Sequence, residues 1–142
     1  MALENILVPI DGSDGSNRAL DLAVQLAETN PEAQIDILYV VPIPPLTDEE
    51  SQDLKHIIDL MKADGDKILS DALEYIGNTV EQADVLCLAG VNPASEIIKL
   101  AQTRDYDLIV IGSRGLSGRK EYAGSVSYKV LHGASTSVLI AK

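Results

Sequence analysis

Residues 5–13 read NILVPIDGS, an apolar run that ends in a turn sequence. A strand with one face in water alternates polar and apolar residues, and this run does not, so it fits a strand covered on both faces within a parallel sheet. Pro9 has no N–H to give to a ladder, so the strand is predicted to stop close to it. Ser13 or Asp14 is then available to cap a helix whose apolar face is Leu20, Ala23, Leu26 and Ala27. That helix is predicted to end before Asn30-Pro31.

The same strand, turn and helix unit recurs along the chain. IDILYVV at 35–41 reads as a second strand, broken by the PIPP that follows. From Thr47 the apolar positions Leu54, Ile57, Ile58, Met61, Ile68, Leu69, Ala72 and Ile76 keep helical spacing, which predicts one long amphipathic helix. Thr47 and Glu50 form a capping-box pattern at its start, and Gly77-Asn78 closes it. ADVLCLA at 83–89 is a third strand. Asn92 and Pro93 occupy the N-cap and first-turn positions of the next helix, with Ile97, Ile98 and Ala101 facing inward. DLIVIG at 107–112 is a fourth strand, VSYKVLHG at 126–133 a short helix and SVLIA at 137–141 the last strand.

Strands alternating with helices predict an α/β fold in a single domain spanning 1–142: an open, mostly parallel five-stranded sheet with helices on both faces. A length of 142 residues suffices for such a core without metals or disulfides. With no Phe or Trp, the core must be built from Ile, Leu, Val and Ala. One cysteine, Cys87, cannot form an internal disulfide, which suits a reducing compartment, and its strand context predicts a buried thiol. No apolar run approaches membrane-spanning length, and the start MALENILVPI lacks the basic region of a signal peptide, so the cytoplasm is the expected location.

A formal net charge of −11 repels nucleic acid and anionic membranes, so neither is an expected partner. An anionic ligand would need local help, and Arg114, Arg119 and Lys120 cluster in one place, the stretch GSRGLSGRKEYAGS at 112–125. In an open α/β sheet, ligands bind beyond the carboxyl ends of the strands, where strand order reverses. This stretch leaves the fourth strand there and enters a helix, whose free N–H groups favour anions. It reads equally as a phosphate cradle and as a loop with ordinary glycine turn chemistry. The acids from Asp48 to Asp71 have no ligand-loop spacing and read as a solvated helix face, and no cluster suggests a resident metal. His56 and His132 have no carboxylate or cysteine at useful local spacing and read as structural. No P-loop and no G-x-S-x-G elbow is present, and no catalytic residue is assigned.

The blocks NILVPIDGS, ILYVV, AGVNPASEII, DLIVIGSRG, GSV and SVLIAK together make the chain resemble the universal stress protein family over essentially its whole length. The resemblance implies strand order 3-2-1-4-5 in a Rossmann-like, adenine nucleotide alpha hydrolase-like arrangement, with Asp11 beside Gly112 at the switch point. The family's nucleotide-binding branch carries G-x2-G-x9-G-[ST] after the fourth strand. Gly112, Gly115 and Gly124-Ser125 match its ends, but the eight residues LSGRKEYA stand where the pattern has nine. One residue spans about 3.5 Å, so the loop path or the helix start must differ.

By that resemblance, the binding residues are Pro9, Asp11, Val40, Gly90, Val91, Gly112, Arg114, Gly115, Gly124, Ser125, Val126 and Ser127. Asp11 and Val40 would take the adenosine end, Gly90 and Val91 the adenine pocket. Gly112, Arg114 and Gly115 would take ribose and phosphate, and 124–127 would close on the phosphates. Asp11 also reads as a carboxylate that merely caps the next turn. The implied ligand is ATP, or ADP or AMP, with Mg²⁺ carried by the nucleotide. The implied role is stress response and regulation more than catalysis, by a homodimer paired through its last strand and acting on a protein partner. Two alternatives are a dimeric interaction module that binds no nucleotide, and a slow ATPase.

Overall fold

A computed structural model of the chain describes residues 3–77, 82–113 and 125–142. Five strands form one parallel sheet in the order β3-β2-β1-β4-β5. They are β1 (Asn5–Ile10), β2 (Gln34–Pro42), β3 (Ala83–Gly90), β4 (Leu108–Gly112) and β5 (Ser137–Ala141). The helices are α1 (Asp14–Glu28), α2 (Asp48–Asp53), α3 (Lys55–Ile76), α4 (Pro93–Thr103) and α5 (Ser125–Gly133). The predicted order and topology of the sheet are therefore observed.

Alternation along β1 divides the core into two layers. Ile6, Val8 and Ile10 face Leu20, Ala23 and Leu69 under α1 and α3. Leu7 faces the other way, into a cluster with Val40, Ile97, Ile109 and Val130 under α4 and α5. Both sides of β1 are thus covered, which is why NILVPI shows no polar alternation.

The caps are where the sequence puts them. Ser13 accepts from the Ser16 N–H at 3.3 Å, Thr47 from the Glu50 N–H at 3.1 Å, and Asn92 from the Ser95 N–H at 3.3 Å. Each such bond satisfies an orphan donor of the first turn and is worth about 1 kcal/mol.

Two expectations are corrected. The long helix is two segments, because Leu54 leaves helical geometry (φ −100°, ψ 8°), although the backbone bonds from Leu54 to Glu50 and from Ile58 to Leu54 carry the chain across the joint. Cys87 is only partly buried, since β3 is an edge strand. β1 ends at Ile10, one residue past Pro9 and as expected, and it pairs with β2 up to that residue. On the other side the ladder to β4 consists of Ile6–Leu108 and Leu7–Ile109, so it stops two residues before the proline.

Candidate functional site

The early end of the β1–β4 ladder leaves these two strands unpaired with each other toward their carboxyl ends, at the point where strand order reverses. The Asp11 turn fills one side of this opening. The Asp11 backbone N–H donates to the Ser16 hydroxyl at 2.8 Å, and that hydroxyl donates to Asp11 Oδ1 at 2.8 Å. The Ser13 N–H donates to the same oxygen at 2.9 Å. Gly12 completes the turn at φ +83°, a left-handed conformation that a side chain would strain. Oδ1 is therefore committed to shaping the turn, whereas Oδ2 accepts no hydrogen bond from the described residues. The capping reading of Asp11 and the ligand reading use different oxygens of one carboxylate.

Gly112 ends β4 against this turn. A Cβ on it would lie 2.5 Å from the Gly15 carbonyl oxygen and 2.6 Å from its carbon, closer than real contacts allow. The absence of side chains at both positions lets the first turn of α1 sit on the end of β4, which brings Asp11 and Gly112 together. Ser113 is held beyond them by its N–H donating to the Ala141 carbonyl at 3.0 Å. Ser125 is the exposed first residue of α5, Val126 packs on the cluster that holds Val40, and Ser127 is buried. Arg114, Gly115 and Gly124 lie outside the described residues.

The remaining predicted site residues are more dispersed. Pro9 is buried in β1, where it has no N–H to offer β2 or β4. Val40 lies in the core on the α4/α5 side of β2. Gly90 and Val91 stand two strands from β1, at the end of β3. The Gly90 carbonyl accepts from the Ile43 N–H at 2.9 Å, and Val91 is 58% exposed.

Sequence reasoning missed Ser16 and Gly15. The repeated small residues of DGSDGS were the signal, a second serine placed one helical turn after the cap. It also missed Gly65, where α3 lies so close to the sheet that a Cβ would meet the Tyr39 ring at 2.7 Å. Burial, with negative charge from Asp11 and Asp64, pushes the Tyr39 hydroxyl above its usual range. Burial, reinforced by Asp66 and partly opposed by Lys62, pushes the Cys87 thiol above its usual range. Among the described residues, no group of three or more His, Cys, Asp or Glu is arranged to hold a metal. No helix among them is long and apolar enough to cross a membrane.

A five-stranded parallel sheet of this order with helices on both faces defines an open, doubly wound α/β fold, in which ligands are met at the switch point. The universal stress protein family model matches residues 2–142, and the chain belongs to that family. It is 40% identical over 146 residues to the universal stress protein YxiE of Bacillus subtilis, covering 96% of this chain and 97% of that one. Among solved structures, UspA from Lactobacillus plantarum superposes with a TM-score of 0.86 at 26% identity, covering 100% and 99% of the two chains. A universal stress protein solved in complex with cAMP superposes at 0.72 with 26% identity, covering 100% and 98%.

Proposed function

We propose that this chain binds an adenine nucleotide, ATP carrying its own Mg²⁺, in the opening between the ends of β1 and β4, and that it works as a regulatory stress protein of the cytoplasm. The observation that carries this reading is the junction of Asp11, Gly15 and Gly112. Oδ2 of Asp11 accepts no hydrogen bond from the described residues, and the close backbone contact of Gly15 with Gly112 sets this carboxylate beside the end of β4, where a ribose or phosphate would meet it. Ser125 adds a hydroxyl at the start of α5, where backbone N–H groups favour phosphate. Arg114, Gly115 and Gly124 would complete the cradle, Arg114 by gripping two phosphate oxygens. The neighbour solved with cAMP supports an adenine ligand on this fold.

Binding without efficient turnover is the reading the side chains favour. Phosphoryl transfer to water needs an oriented base, and Asp11 already spends one oxygen on Ser13 and Ser16. The bound nucleotide would stabilise the fold and alter the surface offered to a protein partner. A homodimer through β5 accords with its position at the sheet edge and with Leu139 on it and Tyr128 and Leu131 on α5, all exposed.

The test is the nucleotide content of freshly purified protein, measured by acid release and chromatography, followed by titration with ATP, ADP, AMP and cAMP. About one adenine nucleotide per chain, or micromolar affinity worth about 8 kcal/mol, is the expected result. No released nucleotide and no binding at millimolar concentration would leave the dimeric interaction module as the function.

A further inference from the structure

The amino-terminal half of α3 carries a surface that neither the core nor the nucleotide site uses. The buried residues of this helix are Gly65, Leu69, Ala72 and Ile76, so nothing before Gly65 is buried. Leu54, Ile58 and Met61 are partly covered, but Ile57 and Leu60 are 52% and 54% exposed. Spacing puts these two side chains on one stripe with two acids. Asp53, Ile57, Leu60 and Asp64 stand at i, i+4, i+7 and i+11, the seam spacing by which one helix meets another, and all four are exposed. Asp53 is the last residue of α2, and backbone bonds from Leu54 to Glu50 and from Ile58 to Leu54 join that helix to the start of α3.

The stripe therefore reads acid, apolar, apolar, acid. Its surroundings share the sign: seven of the chain's 22 acidic residues and two of its 11 basic residues lie between 48 and 66. Asp48, Glu49 and Glu50 extend the acidic end and are exposed. A second copy of the chain is a poor occupant. Parallel stripes would set Asp53 on Asp53 and Asp64 on Asp64, and antiparallel stripes would set Asp53 on Asp64, like charges in either case. The complementary occupant presents an apolar pair between basic residues.

We propose that the Asp53–Ile57–Leu60–Asp64 stripe is a docking surface for a basic amphipathic helix of a protein partner, with Ile57 and Leu60 as anchors and the two aspartates setting charge selectivity. The reading is independent of nucleotide binding, although the stripe runs on to Ile68, whose side chain would lie 3.6 Å from a Cβ on Gly12 beside the Asp11 turn. Apolar anchors supply the affinity and the rim charges choose the sign of the partner.

The experiment titrates the full chain into a labelled synthetic helix of about three heptads, with Leu at a and d and Lys flanking them, and into its Glu counterpart. Fluorescence anisotropy reads binding, and circular dichroism confirms that each variant is folded. The wild type is expected to bind the Lys helix and not the Glu helix. Ile57→Ser with Leu60→Ser should weaken binding about tenfold or more. Asp53→Lys with Asp64→Lys should invert the preference, and Tyr128→Ser with Leu131→Ser on α5 should leave it unchanged. Wild-type protein that ignores the Lys helix would overturn the proposal, as would an Ile57/Leu60 variant that binds it unchanged. Self-association that depends on Ile57 and Leu60, seen by sedimentation, would also overturn it by making a second copy the occupant.

Discussion

The two ends of the sheet are built on opposite plans. At the amino end, polar groups close on one another. The Asp107 carboxylate accepts from the backbone N–H groups of Glu4 and Asn5 at 3.1 and 2.9 Å, which ties the start of β1 to β4. Tyr106 donates a hydrogen bond to Asp36 Oδ2, and Gln34 donates to Asp36 Oδ1 at 2.8 Å. At the carboxyl end, the β1–β4 ladder stops early, glycines replace side chains, and one oxygen of Asp11 has no partner among the described residues. The closed end holds the strands in register, while the open end, freed of that task, keeps polar groups available. This division is what an α/β sheet requires of a binding site at its switch point.

The largest effect should come from closing the open end by force. Gly112→Val drives a branched side chain into the Gly15 backbone, and we expect a loss of about 3 kcal/mol in chemical denaturation together with loss of nucleotide binding. Retained stability would mean that α1 can lift off β4, and that the glycine contact does not define the opening.

Loosening the closed end should cost stability without touching ligand binding. Tyr106→Phe leaves Asp36 with one donor fewer, for an expected cost of about 1–2 kcal/mol and an unchanged nucleotide affinity. Burial, then the bond to Asp36, push the Tyr106 hydroxyl well above the usual tyrosine range, with Arg104 partly opposing. The folded state therefore holds this proton more tightly than the unfolded chain does. The associated stability is full below the unfolded value of about 10 and is lost as pH rises from there through the folded value. Denaturation midpoints should fall above pH 10, less steeply in Tyr106→Phe than in the wild type.

Finer probes separate shape from chemistry at the open end. Ser16→Ala removes the hydroxyl that bridges the Asp11 N–H and Oδ1, and should cost about 1 kcal/mol of stability while weakening nucleotide binding by releasing the turn. The smallest effect on stability belongs to Ser125→Ala, at an exposed helix start. Calorimetry should show reduced ATP affinity there with an unchanged melting temperature, and unchanged affinity would remove Ser125 from the cradle.

Most of the fold was legible because its signals are local. Buried strands such as NILVPI lack alternation, and Ser13, Thr47 and Asn92 announce helix starts through bonds made within three residues. Strand order was not written in those signals and came from resemblance. The joint at Leu54 was illegible because no glycine or proline marks it and the apolar spacing runs through it unbroken. The same spacing put Ile57 on the apolar face of an amphipathic helix, but helical periodicity reports a face and not whether the helix still lies over the sheet. At the candidate site, Asp11 and Gly112 were singled out, but Gly112 was assigned to ribose and phosphate, whereas its first constraint is the backbone of Gly15. That constraint is a contact between residues far apart in sequence. No pattern in either segment alone could announce it.

The contrast between the two ends can be tested in one measurement, the shifts of backbone amide resonances when ATP and Mg²⁺ are added to ¹⁵N-labelled protein. The account predicts the largest shifts at 11–16, 112–113 and 125–127, with 36 and 104–107 silent. Shifts concentrated at the amino end, or none at saturating nucleotide, would contradict it.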